Sequence, residues 1–280
     1  MKATAVFFSA MAFLLSAQAE VKAGKERIIT LGSSVTEIVY ALGHGDNLVA
    51  TDITSVYPKQ ADALPKLGHF RQLSAEGVLS LEPSLIIAVD GVGPPEVVAS
   101  IKRSGVKWVS VPSGHTLTDL KKKFAGVARA LGRTEAGEAL FTRVESKLDP
   151  AEPKAGSPRV LFVYARGRGA MNVSGTNTAA ATMIEWAGAT NAVTLFEGYR
   201  PLTAEAVIAA QPDVILVTTR GLESLGGVDG LMRAPGVSLT PAGRSKRFIA
   251  IEDLKLLGFG PRVGDGVAEL KQALADASKR

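Results

Sequence analysis

The chain has 280 residues, with 32 basic and 27 acidic side chains, a formal net charge of +5, and no cysteine. The lack of cysteine excludes a disulfide framework and a thiol nucleophile. The basic residues are scattered. Their one dense run, Lys121-Lys122-Lys123, spans a single helical turn and reads as a solvated face, not a nucleic-acid patch.

Residues 1–19 have a short positive start at Lys2, an apolar stretch and a small-residue site at Ala17-Gln18-Ala19. This is the pattern of a cleaved secretory signal. With no cysteine at that site to acylate, the expected product is a soluble, non-lipidated periplasmic monomer. The spacing then predicts a strand at 27–31, a turn at Gly32-Ser33-Ser34, a helix at 35–42 closed by Gly43, and a strand at 49–51. Ser74 is placed to cap a short helix, and a buried strand follows Pro83 at 85–89. Residues 117–148 carry helical spacing only. Gly132-Arg133 breaks it, Thr134 is expected to cap a second helix, and the prolines at 150 and 153 end it. The β-turn-α-β order then recurs: a strand at 159–164, a turn at 174–178, a helix at 179–187 closed by Gly188, and a short extended stretch at 190–193. Thr203 is placed to cap a further helix, before a strand at 214–217.

The recurrence is also written in the residues. Shifted by 129 positions, 70–87 lies over 199–216 with seven of eighteen positions identical, among them Arg71/Arg200, Glu76/Glu205 and Pro83/Pro212. A spacing this long is no solenoid period. It predicts an α/β fold of two lobes, each a mostly parallel sheet flanked by helices, joined by a long interlobe helix. The expected limits are 20–133 for the first lobe, 134–152 for the connector and 153–280 for the second. Two lobes, a cleft and a stiff connector make a ligand clamp.

Several words of the sequence resemble the haem-binding group of periplasmic substrate-binding proteins of ABC importers, in the helical-backbone class. They are L-G-S-S-V-T-E-I-V-Y-A-L-G (31–43), R-Q-L-S-A-E-G-V-L-S-L-E-P (71–83), T-R-G-L-E-S-L-G-G-V-D-G-L (219–231), P-G-V-S-L-T-P-A-G-R (235–244) and L-L-G-F-G-P-R (256–262). The first of them alone would suit many metal, siderophore and corrinoid binders. The resemblance implies capture of haem, as cargo and not as a catalytic cofactor. It also implies delivery to an inner-membrane permease dimer with its ATPase, downstream of an outer-membrane haem receptor.

Carried to single residues, the resemblance implies that Glu76 and Glu205 dock onto the two permease subunits. The repeat pairs the same two residues, and a two-fold partner calls for equivalent plugs. The bland account is two carboxylates at helix N-termini, favoured by the dipole. Where the family usually has an iron-binding tyrosine, two residues before Arg71, this chain has His69. Imidazole is itself a haem ligand, so His69 is expected to bind iron or else to line the cleft. Tyr57, Tyr164, Tyr199 and Met171 are the neighbouring alternatives, and Tyr199, the repeat partner of Phe70, also reads as packing. Arg220 stands where the family faces the iron ligand from the opposite lobe. Arg71, Arg166, Arg168 and Arg220 suit haem propionates, since a guanidinium fork fits a carboxylate. His44 and His115 flank glycines and read as surface loops.

Other function classes are weaker. The chain has no H-E-x-x-H, G-x-S-x-G or G-x-x-x-x-G-K-[ST] signature, which argues against a metalloprotease, a hydrolase elbow or a P-loop enzyme. A binding protein for a corrinoid or a ferric siderophore is the closer rival, and a structural adhesion role is the remaining one.

Overall fold

The computed structural model describes residues 26–166 and 171–279. The expected leader at 1–19 and Arg168 lie outside the described residues. The first half runs β1 (Ile28–Leu31), α1 (Ser33–Ala41), β2 (Leu48–Thr51), α2 (Lys59–Asp62), α3 (Ala75–Leu79), β3 (Leu85–Val89), α4 (Pro95–Arg103), β4 (Lys107–Val111) and α5 (Leu117–Ala130). After α6 (Thr134–Leu148) the second half runs β5 (Arg159–Ala165), β6 (Met171–Ser174), α7 (Ala179–Trp186), β7 (Thr190–Asn191), β8 (Tyr199–Pro201), α8 (Ala204–Ala210), β9 (Val214–Thr218), α9 (Thr219–Ser224), α10 (Val228–Met232), α11 (Pro241–Arg244), β10 (Phe248–Ile251), α12 (Asp253–Leu257) and α13 (Val263–Ala277).

The first sheet has the order β2-β1-β3-β4, all parallel. The second repeats it as β7-β5-β9-β10, again parallel. It then adds an antiparallel pair, β6 on the last residues of β5 and β8 on β6. This addition was not expected from the sequence, where 174–178 read only as a turn.

The central strands β1, β3, β5 and β9 are covered on both faces, so they are mostly apolar. Alternate residues go to opposite sides. In β3, Leu85, Ile87 and Val89 join one core while Ile86 and Ala88 join another. In β9, Val214 and Leu216 face the first core, and Ile215 and Val217 a third. The first core is shared by the two lobes: Ile28 and Phe124 belong to it, and so do Phe162 and Val267.

The repeat extends to hydrogen bonds. Ser74 accepts from Gly77 N at 3.3 Å and Thr203 from Ala206 N at 3.2 Å, so both caps form as expected. Arg27 donates its amide to Ser84 Oγ, and Arg159 donates its own to Asp213 Oδ2, each at 2.9 Å. Their guanidinium groups reach Leu81 O and Ala210 O. Ser84/Asp213 and Leu81/Ala210 are repeat partners. So are Glu82 and Gln211, which both take positive φ, 46° and 41°, just before the paired prolines.

Between the two halves, α5 and α6 lie back to back. α5 opens with a capping box between Thr116 and Asp119. α6 buries Leu140, Phe141, Val144 and Leu148. A Cβ on Gly137 would stand 2.2 Å from that of Ala128, so a glycine lets the helices approach. Thr134 is the first residue of α6 and not its cap; Arg133 holds that place without a capping side chain. Lys121 and Lys122 are exposed, but Lys123 is buried, which corrects the reading of this run as a solvated face.

Candidate functional site

A cavity of about 570 Å³ opens at the carboxyl ends of strands from both sheets, the side on which α/β folds bind ligands. The first lobe contributes Gly32 and Ser33 after β1, Thr54 after β2 and His115 after β4. The second contributes Tyr164 and Arg166 from β5 and its end, Arg220 after β9, and Asp253 after β10. Gly32, at φ 109°, passes so close to Val89 that an added Cβ would stand 2.8 Å from its methyl. The backbone here is brought hard against the β3 end.

The loop carrying His69 is held on both sides. Ile53 N donates to Gly68 O at 3.0 Å, and Gly93 N to Phe70 O at 3.1 Å. Beneath it Lys66 Nζ donates to Thr51 Oγ1, Ser55 O and Ala61 O at 2.7–2.9 Å. Burial pulls this ammonium below its ordinary value. The half-buried His69 ring stacks on Phe70 at 4.6 Å and lines the cavity.

His69 Nδ1 accepts the Arg71 amide at 3.2 Å. A neutral ring in that bond carries its proton on Nε2. Metal binding through Nε2 moves the proton to Nδ1, where it would face the Arg71 N–H. The imidazole must therefore turn out of this bond to bind a metal.

The other expected residues separate. Arg71 lines the cavity with its guanidinium 4.6 Å from the Phe70 ring. Arg166 lines it from the second lobe, 5.2 Å from the Tyr164 ring. Arg220, exposed in the first turn of α9, also lines it, and its amide donates to Asp253 Oδ2 at 3.2 Å. Tyr199 is not among the lining residues. β8 pairs Tyr199 with Ser174 and leaves its ring beside Tyr164, centroids 5.9 Å apart. Burial pushes its phenol above the ordinary value, against hydrogen bonds with Thr178 and Ser174. Its repeat partner Phe70 lies in a loop with no equivalent of β8, which is why only the first copy of this stretch reaches the cavity.

Two cavity residues were missed in the sequence. His115, expected on the surface, is half-buried in the wall, edge-on to Phe259 at 5.9 Å. Burial lowers its pKa. Lys123 also lines the cavity and donates to Phe259 O at 3.2 Å. Tyr57 stays outside the lining, with the Arg262 guanidinium 3.7 Å from its ring centroid. His44 accepts from Arg133 Nε at 3.1 Å, away from the cavity.

Glu76 and Glu205 lie outside the cavity lining. Each is the second residue of a short helix, α3 or α8, and each is exposed. Among the described residues neither has an ion-pair partner.

A family model described as periplasmic binding protein matches residues 28–254. The chain belongs to that family. Its solved neighbours are substrate-binding proteins, not enzymes. The periplasmic haem-binding protein RhuT from Roseiflexus sp. RS-1, in apo form, is 43% identical with a TM-score of 0.85, covering 91% of this chain and all of that one. The haem-binding protein BhuT, in complex with two haems, is 40% identical with a TM-score of 0.83, covering 91% and 99%. The haem-binding protein HmuT is 30% identical with a TM-score of 0.78, covering 89% and 84%. Structures of HmuT with an arginine, a tyrosine or a histidine replaced by alanine are also similar. In sequence, a vitamin B12-binding protein of Vibrio parahaemolyticus is 26% identical over 203 residues, 72% of this chain and 74% of the relative. This chain is thus a periplasmic binding protein of an ABC importer.

Proposed function

We propose that the substrate is haem, held in the cleft with its iron between His69 of the first lobe and Tyr164 of the second. The observation that carries this is the shared cavity: an imidazole on a fixed loop and a phenol at a strand end line it from opposite lobes, with Arg71, Arg166 and Arg220 around them. Imidazole and phenolate are both haem-iron ligands. When iron displaces the phenol proton, Arg166 beside the ring offsets the new negative charge, and the remaining guanidinium groups suit the propionates. Tyr164 and Arg166 are two positions apart, as are the tyrosine and arginine replaced in the HmuT variants. Glu76 and Glu205 dock onto the paired permease subunits, and the leader at 1–19 is removed on export.

The vitamin B12-binding relatives support a second reading, a corrinoid. One titration separates the two. Under the haem reading the purified protein shifts the Soret band at a defined stoichiometry and leaves the cobalamin spectrum unchanged. Binding of cobalamin without a haem response would replace haem with the corrinoid.

A further inference from the structure

Lys123 is 1% exposed, yet it lines the cavity from helix α5. Among the described residues its one hydrogen bond is to a neutral acceptor, the carbonyl of Phe259, which lies in the second half of the chain after α12. No carboxylate pairs with it among the described residues. The acidic group that acts on it through space is Asp119. That carboxylate is already engaged, accepting from Thr116 Oγ1 at 2.7 Å and from the Thr116 amide in the α5 capping box. Phe259 holds its carbonyl toward Lys123 from a left-handed backbone, φ 49°, which a side chain with a Cβ rarely adopts. It is wedged between the rings of His115 and Trp186.

A buried ammonium without a counter-charge costs several kcal/mol unless something supplies one. A buried structural cation fills its donors, as Lys66 does with three oxygen acceptors and Arg262 does with the Glu37 carboxylate. Among the described residues Lys123 has a single neutral acceptor and no carboxylate, and the space beside it is the ligand cavity. We infer that Lys123 is a specificity residue of the cleft floor, which takes an anionic carboxylate of the ligand as its missing counter-ion. This rests on the haem reading, in which the carboxylate is a propionate. It distinguishes Lys123 from the arginines at the mouth: Arg71, Arg166 and Arg220 are held at the rim, where a charge is already solvated, whereas Lys123 gains most when the ligand arrives.

The test compares haem with its dimethyl ester, which keeps the iron and the ring but carries no carboxylate charge. Both are titrated into the wild-type protein and into Lys123→Met, which keeps the buried stem and drops the charge. The variant should lose about tenfold to a hundredfold in affinity for haem, the range for a hydrogen bond to a charged group. Its affinity for the diester should stay within about threefold of wild type, on the ordinary scatter of a volume-conserving core swap. Should Lys123→Met fail to fold, Lys123→Gln keeps a donor for the Phe259 carbonyl and allows the same comparison. Equal losses for haem and diester would make Lys123 a structural strut and overturn the inference. So would unchanged haem affinity in a folded variant, or a wild type indifferent to esterification. If the wild type binds neither porphyrin, the haem reading itself fails, a result distinct from these.

Discussion

Glu37 and Arg262 meet across the two halves of the chain in a bidentate pair: Arg262 Nε donates to Glu37 Oε2 and its terminal nitrogen to Oε1, both at 2.9 Å. Glu37 sits in α1, with 3% of its side chain exposed. Arg262 also donates to Glu252 at 3.0 Å and lies over the Tyr57 ring. Burial holds the Glu37 carboxyl above the ordinary range despite this guanidinium. Removing one partner of such a pair leaves the other charge buried alone, a loss of about 3–5 kcal/mol. Arg262→Ala should therefore lower the melting temperature by roughly 10 °C. The double variant Glu37→Met/Arg262→Met should recover much of that, since the buried carboxylate is gone too. A double variant as unstable as the single one would mean that packing, not the stranded charge, sets the cost.

His69 and Tyr164 are separable by spectrum. His69→Ala should weaken haem binding and move the Soret band, and Tyr164→Phe should move it differently, because a different donor remains on the iron. Should neither substitution change the band, the ligands lie elsewhere in the cleft.

Glu76 and Glu205 offer a test that leaves the cleft untouched. They are exposed on equivalent helices outside the cavity lining. Replacing both with alanine should abolish haem uptake through the cognate permease while haem titration of the free protein stays as in wild type. Each single variant should show an intermediate defect, as one plug of two is kept. A double variant that transports normally would reduce the two residues to favourable helix-dipole charges, worth about 0.3–1 kcal/mol each.

The two lobes were legible because a duplicated strand pattern is a strong signal. Short continuous apolar runs such as 85–89 and 214–217 must be covered on both faces, and the paired caps Ser74 and Thr203 fixed the helices before them. The antiparallel pair β6 and β8 was not legible. Met171–Ser174 and Tyr199–Pro201 are short and mixed in character, and they are strands only because β5 runs on past its parallel neighbours. That same pairing carries Tyr199 away from the cavity, which the sequence could not show. Two words with no assigned role, 31–43 and 256–262, turn out to meet through Glu37 and Arg262. Lys123 was misjudged because its neighbours are lysines. Its position says otherwise: Leu120, Lys123, Phe124 and Val127 fall at i, i+3, i+4 and i+7, one face of a helix, and all four are buried. His115 gave no such signal. Its loop is brought to the cavity by the end of β4, a tertiary fact.

Lys123 also predicts how stability changes with pH. Burial lowers its pKa from the ordinary 10.5 to about 8. Below about 8 the folded and unfolded chains both hold the proton, and the folded state bears the full cost of the buried charge. Between about 8 and 10.5 the unfolded chain holds a proton that the folded one has shed. Stability therefore rises with pH through that window, by the linkage between bound protons and unfolding free energy. The size is on the order of 3 kcal/mol, from the shift at about 1.36 kcal/mol per pH unit. Other groups titrate over the same range, so the decisive quantity is the difference between wild type and Lys123→Met. Near pH 7 the variant should match or exceed the wild type, because the lost bond to Phe259 O is smaller than the charge penalty removed. Approaching pH 10.5 that advantage should shrink by about the amount above. Urea unfolding of both proteins at a series of pH values measures it. A difference that stays constant from pH 7 to 10.5 would show that Lys123 is not held at a depressed pKa in the folded, ligand-free protein. Excess haem should erase the variant's advantage at neutral pH: a ligand that binds only the folded state stabilises it, and it does so more strongly where its carboxylate meets the Lys123 charge.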